Sequence, residues 1–105
     1  MSIHICVLTT VSSKEEANNL SQGLVQNKLA YCVNTIPSVQ STYFWKGKIC
    51  TDEEFLLLIK TQEKKFNELK TWLLKKHSYT VPELIGIPIT HGSTDYLKSI
   101  DDWVG

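Results

Sequence analysis

Two side chains in the stretch HSYTVPE, residues 77–83, have the donor chemistry of a divalent-cation site: the imidazole of His77 and the carboxylate of Glu83. An imidazole with a carboxylate suits borderline ions, and Cu(II) stands highest among them in the Irving–Williams order. Two donors from one chain do not close a coordination sphere, so water or further copies of the chain must supply the rest. Each residue also has a plainer reading. His77 stands in the last turn of an expected helix, where a cation complements the dipole. Glu83 can pair with a lysine across an interface. A second constellation is Trp45, Lys60 and Tyr79, an ammonium with two aromatic walls, which could line a pocket for a small anion or metabolite between subunits. The plainer reading of Lys60 is a strand-end lysine whose head reaches water.

The other reactive groups read as structural. Cys6, Cys32 and Cys50 are odd in number, far apart and outside any CxxC pair. The N-terminus, MSIHICVLTT, shows neither a basic leader nor a long apolar region. The cysteines are therefore expected to be reduced, buried thiols of a cytoplasmic protein. His4 and His91 are expected at an exposed strand end and in a turn before a helix. No nucleophile elbow, phosphate loop or His-Glu-x-x-His motif is present, and no enzymatic activity is expected. The 11 basic residues other than histidine are all lysines, balanced by 11 carboxylates and scattered among them. Without arginine's bidentate fork or a basic block, nucleic acid is not an expected partner. No apolar run approaches the roughly 18 residues of a membrane span, so no membrane is expected either.

These residues must be placed by the elements around them. A chain of 105 residues is expected to form one domain, residues 1–105. His4–Thr9 is dense in β-branched residues and reads as a buried strand. Ser12 and Ser13 each precede a glutamate by three residues, two overlapping capping boxes for a helix that puts Ala17, Leu20 and Leu24 on one stripe and ends near Asn27. Ala30–Trp45 is extended and broken by Pro37, which implies an edge or a bulge. Lys48–Thr61 runs back, and its segment Phe55–Ile59 is apolar on both faces, as in a strand covered from both sides. A helix from about Glu63 to Lys76 carries Phe66, Leu69 and Leu73; Leu84–Thr90 is a further strand, an edge by Pro88; Ser93 caps a short last helix that buries Leu97 and Ile100. The order β-α-β-β-α-β plus a terminal helix predicts an α+β, ferredoxin-like split-βαβ sandwich.

Within it, STYFWKGKI (41–49) reads as a hairpin tip. Lys46-Gly47 forms a two-residue loop, and alternation puts Tyr43 and Trp45 on one face and Phe44 on the other. From Cys32 to Trp45 the strand spans ~46 Å at about 3.3 Å per residue. A domain of this size has a radius of gyration near 13 Å. The hairpin therefore outruns its own domain and carries exposed aromatics, a hazard that packing against other copies removes.

YFWKGKI, LLIKT, HSYTVPELIGIPI and HGSTDYL, in this order and spacing, resemble the successive motifs of the CutA family of divalent-cation tolerance proteins, over nearly the whole chain. The resemblance implies a ferredoxin-like subunit with a long β-hairpin, a homotrimer whose sheets join across subunits, and a link to copper and other divalent cations without established catalysis. It also implies a likeness to the trimeric PII signal proteins, and hence small-ligand sensing. The expected function is therefore divalent-cation tolerance through weak metal binding or ligand sensing, with a PII-like signalling scaffold as the alternative. Where some relatives carry a metal-binding cysteine on the first strand, Leu8 is followed here by Thr9, so a soft Cu(I) site is not implied. Ser99 stands where relatives often have tryptophan, with Trp103 nearby to offset it in packing.

Overall fold

A computed structural model describes residues 3–105. The chain runs β1 (His4–Val11), α1 (Lys14–Gln26), β2 (Cys32–Trp45), β3 (Lys48–Gln62), α2 (Phe66–Lys76), β4 (Ile85–Ile89) and α3 (Thr94–Val104), with a 3-10 turn at Glu63–Lys65 leading into α2. The sheet order is β2-β3-β1-β4, and every neighbouring pair is antiparallel. This is the ferredoxin-like split-βαβ arrangement that the element order predicts.

Strand alternation divides the sheet into two faces. Ile5, Val7 and Val11 of β1 share a face with Leu57 and Ile59 of β3, and Ala17, Leu20 and Leu24 of α1 with Leu69 and Leu73 of α2 close over it. This is the core. Each fully buried aliphatic side chain there contributes about 1.5–3 kcal/mol relative to an exposed one.

The opposite face is covered unevenly. Near its His4 end, α3 is held down by Asp101, whose carboxylate lies 2.8 Å from His4 Nε2 and accepts from the Gln62 amide. His4 is thus buried, not at an exposed strand end, because a helix far along the chain folds back over it. Elsewhere this face leaves Ile36, Ile85 and Ile87 exposed. The segment Phe55–Ile59 is accordingly covered on one side: Leu57 and Ile59 are fully buried, whereas Leu56 and Leu58 are half-buried. Cys6 and Cys32 belong to this open face and Cys50 to the hairpin arm, so all three thiols are free and half-buried instead of buried.

Ser13, not Ser12, caps α1, accepting from the Glu16 N–H at 3.1 Å. At the far end Lys28 takes a left-handed conformation (φ 57°), with Leu29 N–H bonded to Leu24 O and Lys28 N–H to Val25 O. This pair of bonds is a Schellman closure made without glycine. Trp103 of α3 docks on the same turn, its Nε1–H donating to Val25 O at 2.9 Å beneath the Lys28 ammonium.

The hairpin projects as its length requires. The molecule measures 44 × 25 × 23 Å, and β2 and β3 turn at Lys46-Gly47, whose φ values of 50° and 81° fit a type I′ loop. The Pro37 break is a β-bulge between Ile36 and Val39, with Ser38 at φ 59°. Among the described residues no helix is long and apolar enough to cross a membrane.

Candidate functional site: a cleft between the hairpin and segment 79–83

β3 continues past the end of β1, so the hairpin arm has no sheet neighbour on that side. Segment 79–83 runs alongside it instead. A cleft of about 700 Å³ opens between them, walled by Tyr43, Trp45 and Tyr79 and carrying the carboxylates of Glu54 and Glu83. That is within the roughly 300–1,000 Å³ usual for small-molecule sites.

The bulge decides which aromatics enter it. Ile36 lies opposite Leu56 and Val39 opposite Glu54, so β2 gains one residue on β3. Beyond that point Ser41, Tyr43 and Trp45 lie opposite Asp52, Cys50 and Lys48, on the face of Glu54. A regular ladder would turn Thr42 and Phe44 to that face instead.

Phenols and carboxylates are paired along the arm. Tyr79 donates from its hydroxyl to Glu54 Oε2 at 2.5 Å, and Tyr43 donates to Asp52. Burial, and then the Glu54 contact, push the Tyr79 phenol well above the ordinary tyrosine range. The Asp52 hydrogen bond pushes Tyr43 up to about 12. Glu54 is only 7% exposed. It and Glu83 are the charged side chains lining the cleft, and neither forms an ion pair among the described residues.

Of the residues singled out from sequence, Trp45, Tyr79 and Glu83 come together here. His77 and Lys60 do not. His77 caps α2 from within: its Nε2–H donates to Thr10 O at 2.9 Å, and its Nδ1 accepts from the Tyr79 N–H at 3.1 Å. Those partners fix a neutral tautomer with both nitrogens occupied. Glu16 anchors the same turn, accepting from the Ser78 N–H and hydroxyl at 2.9 Å each. His77 and Glu16 therefore position Tyr79. Lys60 lies on the open sheet face between Cys6 and Cys32, donating to the Asn34 side chain and to Leu58 O. Among the described residues no group of three or more His, Cys, Asp or Glu side chains is gathered to hold a metal ion.

Residues 5–103 match the family described as CutA1 divalent ion tolerance protein. The chain belongs to the CutA family. The "Divalent-cation tolerance protein CutA" of Thermus thermophilus is 43% identical over 93% of this chain and 91% of its own length. A solved structure from that organism superposes with a TM-score of 0.94 at 40% identity, covering 97% of this chain and 99% of the other. A structure described as the periplasmic divalent cation tolerance protein CutA of Archaeoglobus fulgidus also gives 0.94, at 38% identity over 97% and 99%. The "Protein CutA, chloroplastic" of Arabidopsis thaliana is 44% identical over 90% of this chain, which spans 52% of that relative. This chain thus covers most of the Thermus CutA and about half of the plant one.

Three contributors to this CutA-family cleft escape sequence reasoning. Glu54 sits in the acidic run TDEEF, which reads as solvated; only its parity with Leu56 hints that it faces the open side of the sheet. Asp52 follows from the same parity. Glu16 is claimed by its capping box, yet its carboxylate reaches Ser78 across 62 positions, a contact that no local pattern encodes.

Proposed function

We propose that this chain acts in divalent-cation tolerance as a cytoplasmic homotrimer that binds cations in the cleft between its hairpin and segment 79–83, by binding and not by turnover. The observation that carries this reading is that both charged side chains lining the cleft are carboxylates, set among aromatic rings. A divalent ion meets the exposed Glu83 first, with water completing its shell. Cu(II) is the ion of choice by the Irving–Williams order, but its affinity is modest: His77 has no free lone pair, and Thr9 offers no thiolate.

Self-association is supported by apolar surface. Phe44 and Ile49 at the hairpin tip are 68% and 71% exposed, and Ile36, Ile85 and Ile87 lie uncovered on the sheet. β2 and β4 present open edges through which sheets can join. The cytoplasmic assignment rests on the thiols. Cys6 and Cys32 sit on strands separated by β3, hence about 9–10 Å apart by strand spacing, beyond disulfide reach. The same apolar tip favours a second reading, a PII-like scaffold trimer that engages a small ligand or protein partner, with metal incidental.

Calorimetric titration with Cu(II) separates the two. The first reading expects weak binding that Glu83→Gln reduces several-fold without dissociating the trimer. Equal binding by wild type and Glu83→Gln removes the cleft from cation binding and leaves the scaffold.

A further inference from the structure

We propose that the cleft takes a small organic cation, a primary ammonium on an aromatic or aliphatic body. The ammonium sits at Glu54 and Glu83, and the body lies against Trp45, Tyr43 and Tyr79. This rests on the cation-binding reading of the cleft and narrows it to a ligand class.

Three observations point there. First, Glu54 is almost wholly removed from water, yet the partner of its carboxylate is a single phenol on Oε2. One donor leaves acceptor capacity on that carboxylate, which a cation with several N–H donors in the cleft can use. The lysine–carboxylate pairs of the described residues, Lys65–Glu68 and Lys98–Asp102, and the imidazole–carboxylate contacts His4–Asp101 and His77–Glu16 supply none at Glu54 or Glu83.

Second, the walls are aromatic, and the negative faces of such rings attract an ammonium. The fold already shows the preference: the Lys46 ammonium at the hairpin tip stands 6.0 Å from the Trp45 ring centroid.

Third, competing ligand classes fit less well. A hydrated divalent ion at Glu83 leaves the rings of Tyr43, Trp45 and Tyr79 without a partner. An anion meets two carboxylates and no lining lysine. A neutral apolar ligand leaves the carboxylates of Glu54 and Glu83 unused. The organic ammonium uses both the rings and the charge.

The test is calorimetric titration of the full chain with phenethylammonium, with phenethyl alcohol as its neutral counterpart and 3-phenylpropionate as its anionic one. The amine is expected to bind once per chain, the alcohol about tenfold or more weaker, and the carboxylate not measurably. Glu54→Gln, which keeps an acceptor for Tyr79, and Trp45→Leu each weaken the amine about tenfold or more, with unchanged circular dichroism and sedimentation. Equal binding of amine and alcohol overturns the proposal, as does undiminished amine binding in Glu54→Gln. If the amine does not bind while Cu(II) binding still depends on Glu83, the ligand class is wrong and the cation-binding cleft stands. If neither cation depends on the cleft residues, both fall.

Discussion

The imidazole of His77 donates its Nε2–H to the carbonyl oxygen of Thr10 across 67 positions of sequence, at 2.9 Å. That bond joins the end of α2 to the end of β1. Through Nδ1 the same ring also holds the Tyr79 N–H, so one side chain sets where segment 79–83 leaves the body of the protein. The residue with the most obvious metal chemistry in the sequence is spent on architecture, and the cleft that this architecture creates is lined by carboxylates instead.

His77→Ala should therefore behave as a stability variant. Truncation leaves the buried Thr10 O and the half-buried Tyr79 N–H without their imidazole partner, a loss of about 1–3 kcal/mol. Urea denaturation measures it. A change below about 0.5 kcal/mol would show that the two hydrogen bonds do not hold the turn.

The phenol–carboxylate pairs predict an alkaline signature. The Asp52 hydrogen bond pushes Tyr43 up to about 12, and burial and then Glu54 raise Tyr79 well above the ordinary tyrosine range. The folded Tyr79 value lies above the unfolded one of about 10, so its contribution to stability is complete below that pH and fades as pH rises through the folded value. Ultraviolet titration should show Glu54→Gln bringing the Tyr79 ionisation down, though burial keeps it above the ordinary range. An unchanged titration would mean that the two side chains do not meet.

Helix packing supplies a sharper stability test. A Cβ added at Gly23 would lie 2.5 Å from the Trp72 ring. Gly23→Ala gains about 1 kcal/mol of helix propensity but forces that ring aside, and overpacking typically costs about 1–3 kcal/mol. Net destabilisation by thermal melting is expected. A stabilised variant would show that α1 and α2 are not in contact through Trp72.

Much of this was legible in advance because it is local. Hydrophobic period fixed the strands and helices, Ser13 and Ser93 announced their caps, and Pro37 announced its bulge. Trp45, Tyr79 and Glu83 stand out by type, and all three line the cleft. Long-range parity was not legible. By type Lys60 suits a pocket with Trp45 and Tyr79, but register places it beside Cys6 and Cys32. Glu54 lies in an acidic run that carries no local sign of burial, and Tyr79, 25 positions away, packs upon it.

Assembly is tested through the face of the hairpin turned away from the trio of Tyr43, Trp45 and Glu54. Phe44 and Ile49 lie opposite each other there and are the most exposed large apolar side chains of the tip. Sedimentation at micromolar concentration should find a ligand-free trimer, and Phe44→Ser with Ile49→Ser should shift it toward smaller species. A monodisperse wild-type monomer would contradict self-association.

The most direct test of the cation-binding cleft is paramagnetic broadening of backbone amide signals by substoichiometric Cu(II). The account predicts that signals of residues 43–45, 54 and 79–83 broaden first, and that Glu83→Gln abolishes this pattern. Broadening centred instead on the exposed His91, or on His4 and Asp101, would place the ion elsewhere and contradict the account.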